Sequence, residues 1–192
     1  MIKRAKPLLI TASLLNSWIY LFDNQLSDEK IAFDDFLKVL NREPTEQTEA
    51  MKLGNEFEQE CYDGKVSGIS NLIEGGAFQV SASKIEIING LTFVLYGRLD
   101  VLKNGIIYDI KRVSRYNDVQ KYYTSAQHPM YLELIPQAKE FIYLISDGEL
   151  IYQEKYTRKD FIKPIQEIIT DFVNWLKRND LFEKYVEKWE SK

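Results

Sequence analysis

Cysteine and histidine are almost missing from this chain of 192 residues: Cys61 is the single cysteine and His128 the single histidine. One cysteine cannot close an intrachain disulfide. Nor can it build, within this chain, a zinc finger or a cysteine-ligated iron–sulfur cluster. Any metal site must be made mainly of carboxylates, which favours hard cations such as magnesium or manganese. No apolar run reaches the length of about eighteen residues that a membrane span needs. The opening Met1–Leu15 is basic at its start, but its apolar run is short, is broken by Thr11 and Ser13, and leads to no clear cleavage signal. It reads as part of the fold, and a cytoplasmic location is expected. An excess of positive charge is missing too. The net charge of -4 argues against a simple basic DNA-coating protein, but not against an enzyme whose metal-binding acids stand beside an anionic substrate.

What is present is a large apolar fraction, 45%, enough for a real core and against disorder. The length suits one domain spanning 1–192, with helical N- and C-terminal parts. Leu14, Leu15, Trp18, Ile19 and Phe22 recur at helical spacing behind a cap at Thr11 or Ser13. Further helices are expected over 29–40 and 45–62. The period then changes. Segments 78–82 and 85–88 look extended, and Asn89-Gly90 predicts a hairpin joining 85–88 to 91–102. Lys103-Asn104-Gly105 turns into a third antiparallel strand over 106–113. A helix is expected over 119–135, weakened, kinked or begun by Pro129. Asp147-Gly148 marks a second hairpin between 141–146 and 150–156. The apolar stripe of Phe161, Ile165, Ile168, Ile169, Phe172 and Leu176 makes the C-terminal part helical, and with Trp175 and Trp189 it suits core or oligomer packing. One sheet flanked by helices follows from this order.

The informative segment is Gly97-Arg-Leu-Asp100 followed by Asp109-Ile-Lys111. Side chains alternate along a strand, so Asp109 and Lys111 share a face. If the two strands pair, Asp100 lies on the neighbouring one, and two carboxylates and a lysine converge at a sheet edge. Asp109 also interrupts the apolar run Ile106-Ile-Tyr-Asp-Ile. A buried acid is costly unless it is paired or holds a metal, so an acid there needs a reason. Phosphodiester hydrolysis uses such a cluster: carboxylates collect divalent cations that neutralise phosphate and activate water, and a lysine stabilises developing charge. The plainer account is that Asp100 flanks a hairpin turn and that Asp109 and Lys111 form a solvated strand face.

Two more pieces stand around this core. Gly54-Asn-Glu-Phe-Glu58 precedes it, and Gln127-His-Pro-Met-Tyr131 follows, with Gln127 and Tyr131 on one helical face. The order G-x3-E, G-x-L-D, D-x-K, Q-x3-Y resembles the RecB-like branch of the PD-(D/E)XK nucleases, which includes lambda exonuclease. Thr11-Ala-Ser13-Leu-Leu-Asn16 is similar to the start of many members, and the resemblance covers roughly residues 11–146. It implies an α/β, restriction-endonuclease-like core: a small mixed sheet with helices on both faces. It implies that Glu58 supports the metal site, that Asp100 and Asp109 are metal ligands together with the Ile110 carbonyl, and that Lys111 is catalytic. Gln127 and Tyr131 then border the site and help position substrate. Glu56 and Glu60 compete with Glu58, which alone fits G-x3-E. The chain departs from many relatives in lacking the several cysteines of an iron–sulfur cluster, and Pro129 fits the motif only where a helix begins or is distorted.

Arg112, Arg115 and Lys121, interleaved with Tyr116, Tyr122 and Tyr123, leave the catalytic strand directly. Such side chains suit phosphate contacts and base stacking, although a solvated loop explains them equally well. Arg98 faces substrate only if alternation carries it there, and His128 is expected at the substrate edge or in a structural role. The implied activity is magnesium- or manganese-dependent cleavage of DNA from its ends, in phage or bacterial recombination and repair, with recombination proteins as partners and an oligomer admissible. A structure-specific or restriction-type endonuclease, and an inactive nucleic-acid-binding relative, are the alternatives.

Overall fold

The computed structural model describes residues 6–22, 28–116 and 122–191. Strand β1 (Leu8–Thr11) enters helix α1 (Ala12–Ile19), extended by a 3-10 turn, Tyr20–Phe22. Helices α2 (Glu29–Leu40), α3 (Glu49–Tyr62) and α4 (Ser67–Ile73) follow. Then come β2 (Ala77–Ile88), β3 (Leu91–Lys103) and β4 (Ile106–Arg112). Helix α5 (Gln127–Leu134) leads to β5 (Glu140–Ser146) and β6 (Ile151–Tyr156), and α6 (Ile165–Arg178) and α7 (Phe182–Trp189) close the fold.

Caps decide where the helices begin. Of the two proposed caps for α1, Thr11 is the one used: its hydroxyl accepts from the Leu14 N–H at 3.2 Å. Helix α3 starts at Glu49 instead of near residue 45, because the Thr48 hydroxyl takes up the Met51 N–H. Asp28 caps α2, whose bounds match the expectation. Helix α5 is shorter than expected and starts at Gln127, with Pro129 as its third residue, where a helical N–H has no intrahelical partner and its loss costs nothing. The predicted start near Val119 falls outside the described residues. Two elements escaped prediction: β1, which is too short to show a period, and α4, which has no side-chain cap.

The six strands form one mixed sheet in the order β1-β3-β4-β5-β6, with β2 pairing β3 on its other side. Strand β3 is antiparallel to β2 and β4 and parallel to β1; β4 and β5 are parallel. On the side away from β2, β3 has two partners end to end. Tyr96 is the last residue to pair with β1, and Val101 is the first to pair with β4. In the segment between them, Gly97, Arg98 and Leu99 pair with β2 alone, and Asp100 pairs with neither neighbour.

Helices cover both faces. The larger core lies between the sheet and α1, α2, α5, α6 and α7, and takes Phe93, Leu95, Leu99, Ile107, Phe141, Tyr143 and Ile145 from the strands. The smaller lies under α3 and α4, around Phe57, Cys61, Ile69 and Ile73, and takes Val101, Tyr108, Ile110, Ile142 and Leu144. Burial on both faces explains why β5 reads as an unbroken apolar run. Trp175 and Trp189 belong to the larger core, and Trp189 Nε1 donates to Leu40 O at 2.8 Å. The fold is α/β, with the restriction-endonuclease-like layering that the resemblance implied. Among the described residues no helix is long and apolar enough to cross a membrane.

Two motif glycines have opposite roles. A Cβ on Gly97 would lie 2.6 Å from Tyr131 Cε1 and 2.9 Å from Leu134 Cδ1, so the glycine lets α5 lie flat on β3. A Cβ on Gly54, inside α3, would meet nothing within 4 Å. Gly97→Ala should therefore destabilise by about 1–3 kcal/mol through overpacking. Gly54→Ala should stabilise by roughly 0.5–1 kcal/mol through helix propensity. Urea unfolding of both variants, with shifts of opposite sign, is the check.

Candidate active site

The expected convergence of Asp100, Asp109 and Lys111 occurs, but in the middle of the sheet instead of at an edge. Continuing the β3–β4 register past Val101↔Tyr108 would set Asp100 directly across from Asp109. Like charges directly opposed in a ladder are destabilising, and pairing stops one residue short of them. The Asp100 carboxylate fills the opening, its Oδ2 accepting the Ile110 N–H at 2.8 Å. The backbone around it is served by side chains: Tyr131 Oη donates to Arg98 O at 3.1 Å, and Tyr62 Oη lies 3.3 Å from Asp100 O. Facial alternation also breaks here. Leu99 sits in the larger core, while Val101, two residues on, sits in the smaller.

Asp109 is 1% exposed, on the α5 side of β4. Its Oδ1 accepts from the Gln127 amide, so the first residue of α5 holds the carboxylate plane. Its Oδ2 lies 2.6 Å from Lys111 Nζ. That oxygen is buried, and the Lys111 ammonium is its only charged neighbour at this distance among the described residues. Burial, and then the Asp109 carboxylate, push the Asp100 pKa well above the usual carboxylate range, against the pull of Lys111. Burial raises that of Asp109 as well, with Lys111 opposing. For Lys111 burial works downward, but Asp109 and Asp100 together outweigh it and keep the ammonium charged.

Glu58 is the acid of α3 that turns towards this opening. Its Oε1 accepts from Tyr62 Oη at 2.5 Å and from the Gln79 amide. Glu56 and Glu60 instead line an open groove of about 540 Å³ between α3–α4 and the β5–β6 hairpin. Arg112 lines the same groove, on the opposite face of β4 from Lys111; Arg115 is exposed, and Lys121 lies outside the described residues. Arg98 is exposed, whereas Tyr131 is buried against Gly97 and fastens α5 to β3. Gln127 is thus the member of the Q-x3-Y pair that reaches the acids.

Three residues of this site went unmarked in the sequence. Tyr62 and Gln79 hold Glu58; a tyrosine four residues after the acid was the available signal for the first, and nothing local marked the second. Glu154 of β6, 5% exposed, accepts from Tyr116 Oη at 2.6 Å, from the Tyr122 N–H at 3.1 Å and from Tyr156 Oη at 2.5 Å. It joins Tyr116 and Tyr122 to β6.

Among the described residues no group of three or more acid, histidine or cysteine side chains is gathered to hold a metal. The pair Asp100 and Asp109 nevertheless suits a hard divalent cation. One buried carboxylate oxygen has only an ammonium beside it, both acids are disfavoured as anions by burial, and the donor atoms are all oxygen. Magnesium commonly takes one or two protein carboxylates and fills the rest of its shell with water.

The structure of a protein named SSO0001 superposes with a TM-score of 0.56 over 95% of this chain and 87% of that one, at 15% identity. The likeness is one of fold. A protein from Eubacterium rectale, provisionally named an exonuclease, aligns over 93% of this chain and 69% of its own at 16% identity, with a TM-score of 0.44. No family profile matches the chain, and no curated protein matches it.

His128, beside Gln127, is 1% exposed and stacks on Tyr156 at 4.3 Å, so it has a structural role. Burial lowers its pKa to about 4. The unfolded chain therefore binds the proton first, and the contribution is present above about pH 6.5 and lost as pH falls towards 4. Comparing urea unfolding of the wild type and His128→Gln should give a difference that shrinks by on the order of 3 kcal/mol between pH 7 and pH 4. A difference that stays constant with pH contradicts the assignment.

Proposed function

We propose that the chain is a divalent-metal-dependent deoxyribonuclease that acts from DNA ends. The observation that carries this reading is the opening of the β3–β4 ladder, where the buried Asp109, the half-buried Asp100 and a charged lysine come together. A burial that raises the pKa of two neighbouring acids opposes folding unless a cation is to be bound or a proton held. The order of the motifs, which resembles the RecB-like nucleases, supports the choice of phosphodiester over other substrates. SSO0001 supports the fold alone.

In this reading Asp100 and Asp109 hold magnesium or manganese, with the Ile110 carbonyl as a further ligand and Glu58 supporting the site. When bound, the ion neutralises phosphate charge and lowers the pKa of water. Lys111, kept charged by the acids, stabilises the negative charge that develops on the phosphate oxygens. Gln127 fixes the Asp109 carboxylate, so that one oxygen stays directed at the site. Exposed Arg98 and Arg115 supply sequence-independent phosphate contacts, which is all an end-dependent enzyme requires; Arg112, on the other face of β4, does not take part. Recombination or repair, with recombination proteins as partners, is the setting that fits this activity.

Linear and covalently closed DNA, incubated with magnesium, manganese or a chelator, is the test. Linear DNA should be degraded only with metal, and closed circles should survive. Asp109→Asn should abolish cleavage and weaken manganese binding in calorimetry. Lys111→Ala should reduce cleavage at least about 100-fold, roughly 2.7 kcal/mol of barrier, while keeping most of the manganese affinity. Cutting of closed circles moves the protein to the endonucleases. Metal-independent behaviour, or a loss below about tenfold in Lys111→Ala, refutes the assignment.

A further inference from the structure

We infer that Tyr62 and Gln79 are positioning residues that present one oxygen of Glu58 to the metal site; this rests on the nuclease reading above. Tyr62 follows Glu58 by one helical turn on α3, and its hydroxyl donates to Glu58 Oε1 at 2.5 Å. The Gln79 amide donates to the same oxygen and to Tyr62 Oη, the latter at 2.8 Å. Oε1 is therefore held by two donors, while Oε2 has no hydrogen bond among the described residues. A carboxylate held in this way has one oxygen free in a fixed direction.

The backbone at Gln79 points to a purpose beyond packing. Five described residues other than glycine have positive φ. Asn89 and Asn104 lie in hairpin turns, and Arg42 and Asp180 follow helix ends. Gln79, with φ +53°, lies inside a strand. Phe78 pairs with Val101 and Val80 with Leu99, and the pair between them, Gln79 with Asp100, is skipped. The edge strand thus leaves its ladder opposite Asp100 and turns its amide towards α3. Such conformations are unfavourable for a residue with a Cβ, and they cluster where a site must be pre-organised. Phe78, next to it, packs its ring against Tyr62 at 4.8 Å and steadies the hydroxyl.

This arrangement separates a positioning role from a structural one, because glycine adopts positive φ without strain. Gln79→Gly removes the amide and relieves the backbone together. Manganese affinity, measured by calorimetry, should fall at least about tenfold in Gln79→Gly and in Tyr62→Phe. The melting temperature of metal-free Gln79→Gly should be unchanged or higher. In a Glu58→Gln background both substitutions should cause no further loss, since they act through Glu58. Affinity within twofold of wild type in both single variants, with Asp109→Asn losing binding, overturns the positioning role and leaves the nuclease reading intact. If Asp109→Asn also binds manganese as wild type does, the metal reading fails and this inference falls with it.

Discussion

Two aspartates that the register would set face to face govern the centre of this protein. Val101↔Tyr108 is the last pair of the β3–β4 ladder, and Asp100 and Asp109 would form the next. Keeping the ladder closed would press two carboxylates together in a space partly shielded from water. Opening it leaves backbone groups without strand partners, and these are costly when buried. The fold resolves the conflict by opening the strands and providing side-chain partners for the exposed backbone. Asp100 accepts the Ile110 N–H, Tyr131 serves Arg98 O, and Tyr62 approaches Asp100 O.

The surrounding elements follow from that opening. Helix α5 must lie close enough to β3 for Tyr131 to reach Arg98 O, and Gly97 provides the space. The same helix brings Gln127, at its first residue, to Asp109. On the opposite face α3 carries Glu58 and Tyr62 to the other side of the gap. Strand β2 breaks its own pairing opposite Asp100 and sends Gln79 there. The four motifs are thus parts of one polar seam through an otherwise apolar sandwich.

Burial then sets the chemistry. Both aspartates are harder to ionise than a surface acid: burial is the main cause for each, with repulsion from Asp109 added at Asp100 and from Glu58 at Asp109. Lys111 compensates in part and is itself kept charged by them. Replacing one member of such a group leaves an uncompensated charge behind, so its residues are coupled and not additive. Glu154 of β6 forms a second polar centre, satisfied by two tyrosine hydroxyls and a backbone N–H, and it joins Tyr116 and Tyr122 to the sheet.

The hairpin at Asn89-Gly90, the strand carrying Asp109 and Lys111, the helix over Glu29–Leu40 and the apolar C-terminal stripe were all legible in the sequence, because each rests on local periodicity or a turn dipeptide. So was the oddity of Asp109, since an acid inside an apolar strand contradicts its surroundings. Strand β1 and helix α4 were not legible: a four-residue strand and an uncapped seven-residue helix have too few residues to show a period, and they exist because neighbours pair with them or bury them. The site's place in the sheet centre was hidden for the same reason, because strand order depends on contacts between residues far apart in the chain. The sequence by itself determined the local elements and the chemical character of the acids. Only the tertiary structure decided that Tyr131 serves the backbone, that Arg112 faces away from Lys111, and that Gln79, twenty-one residues from Glu58, holds its carboxylate. Hydrogen bonds across such separations obey no sequence spacing; they are set when the layers pack.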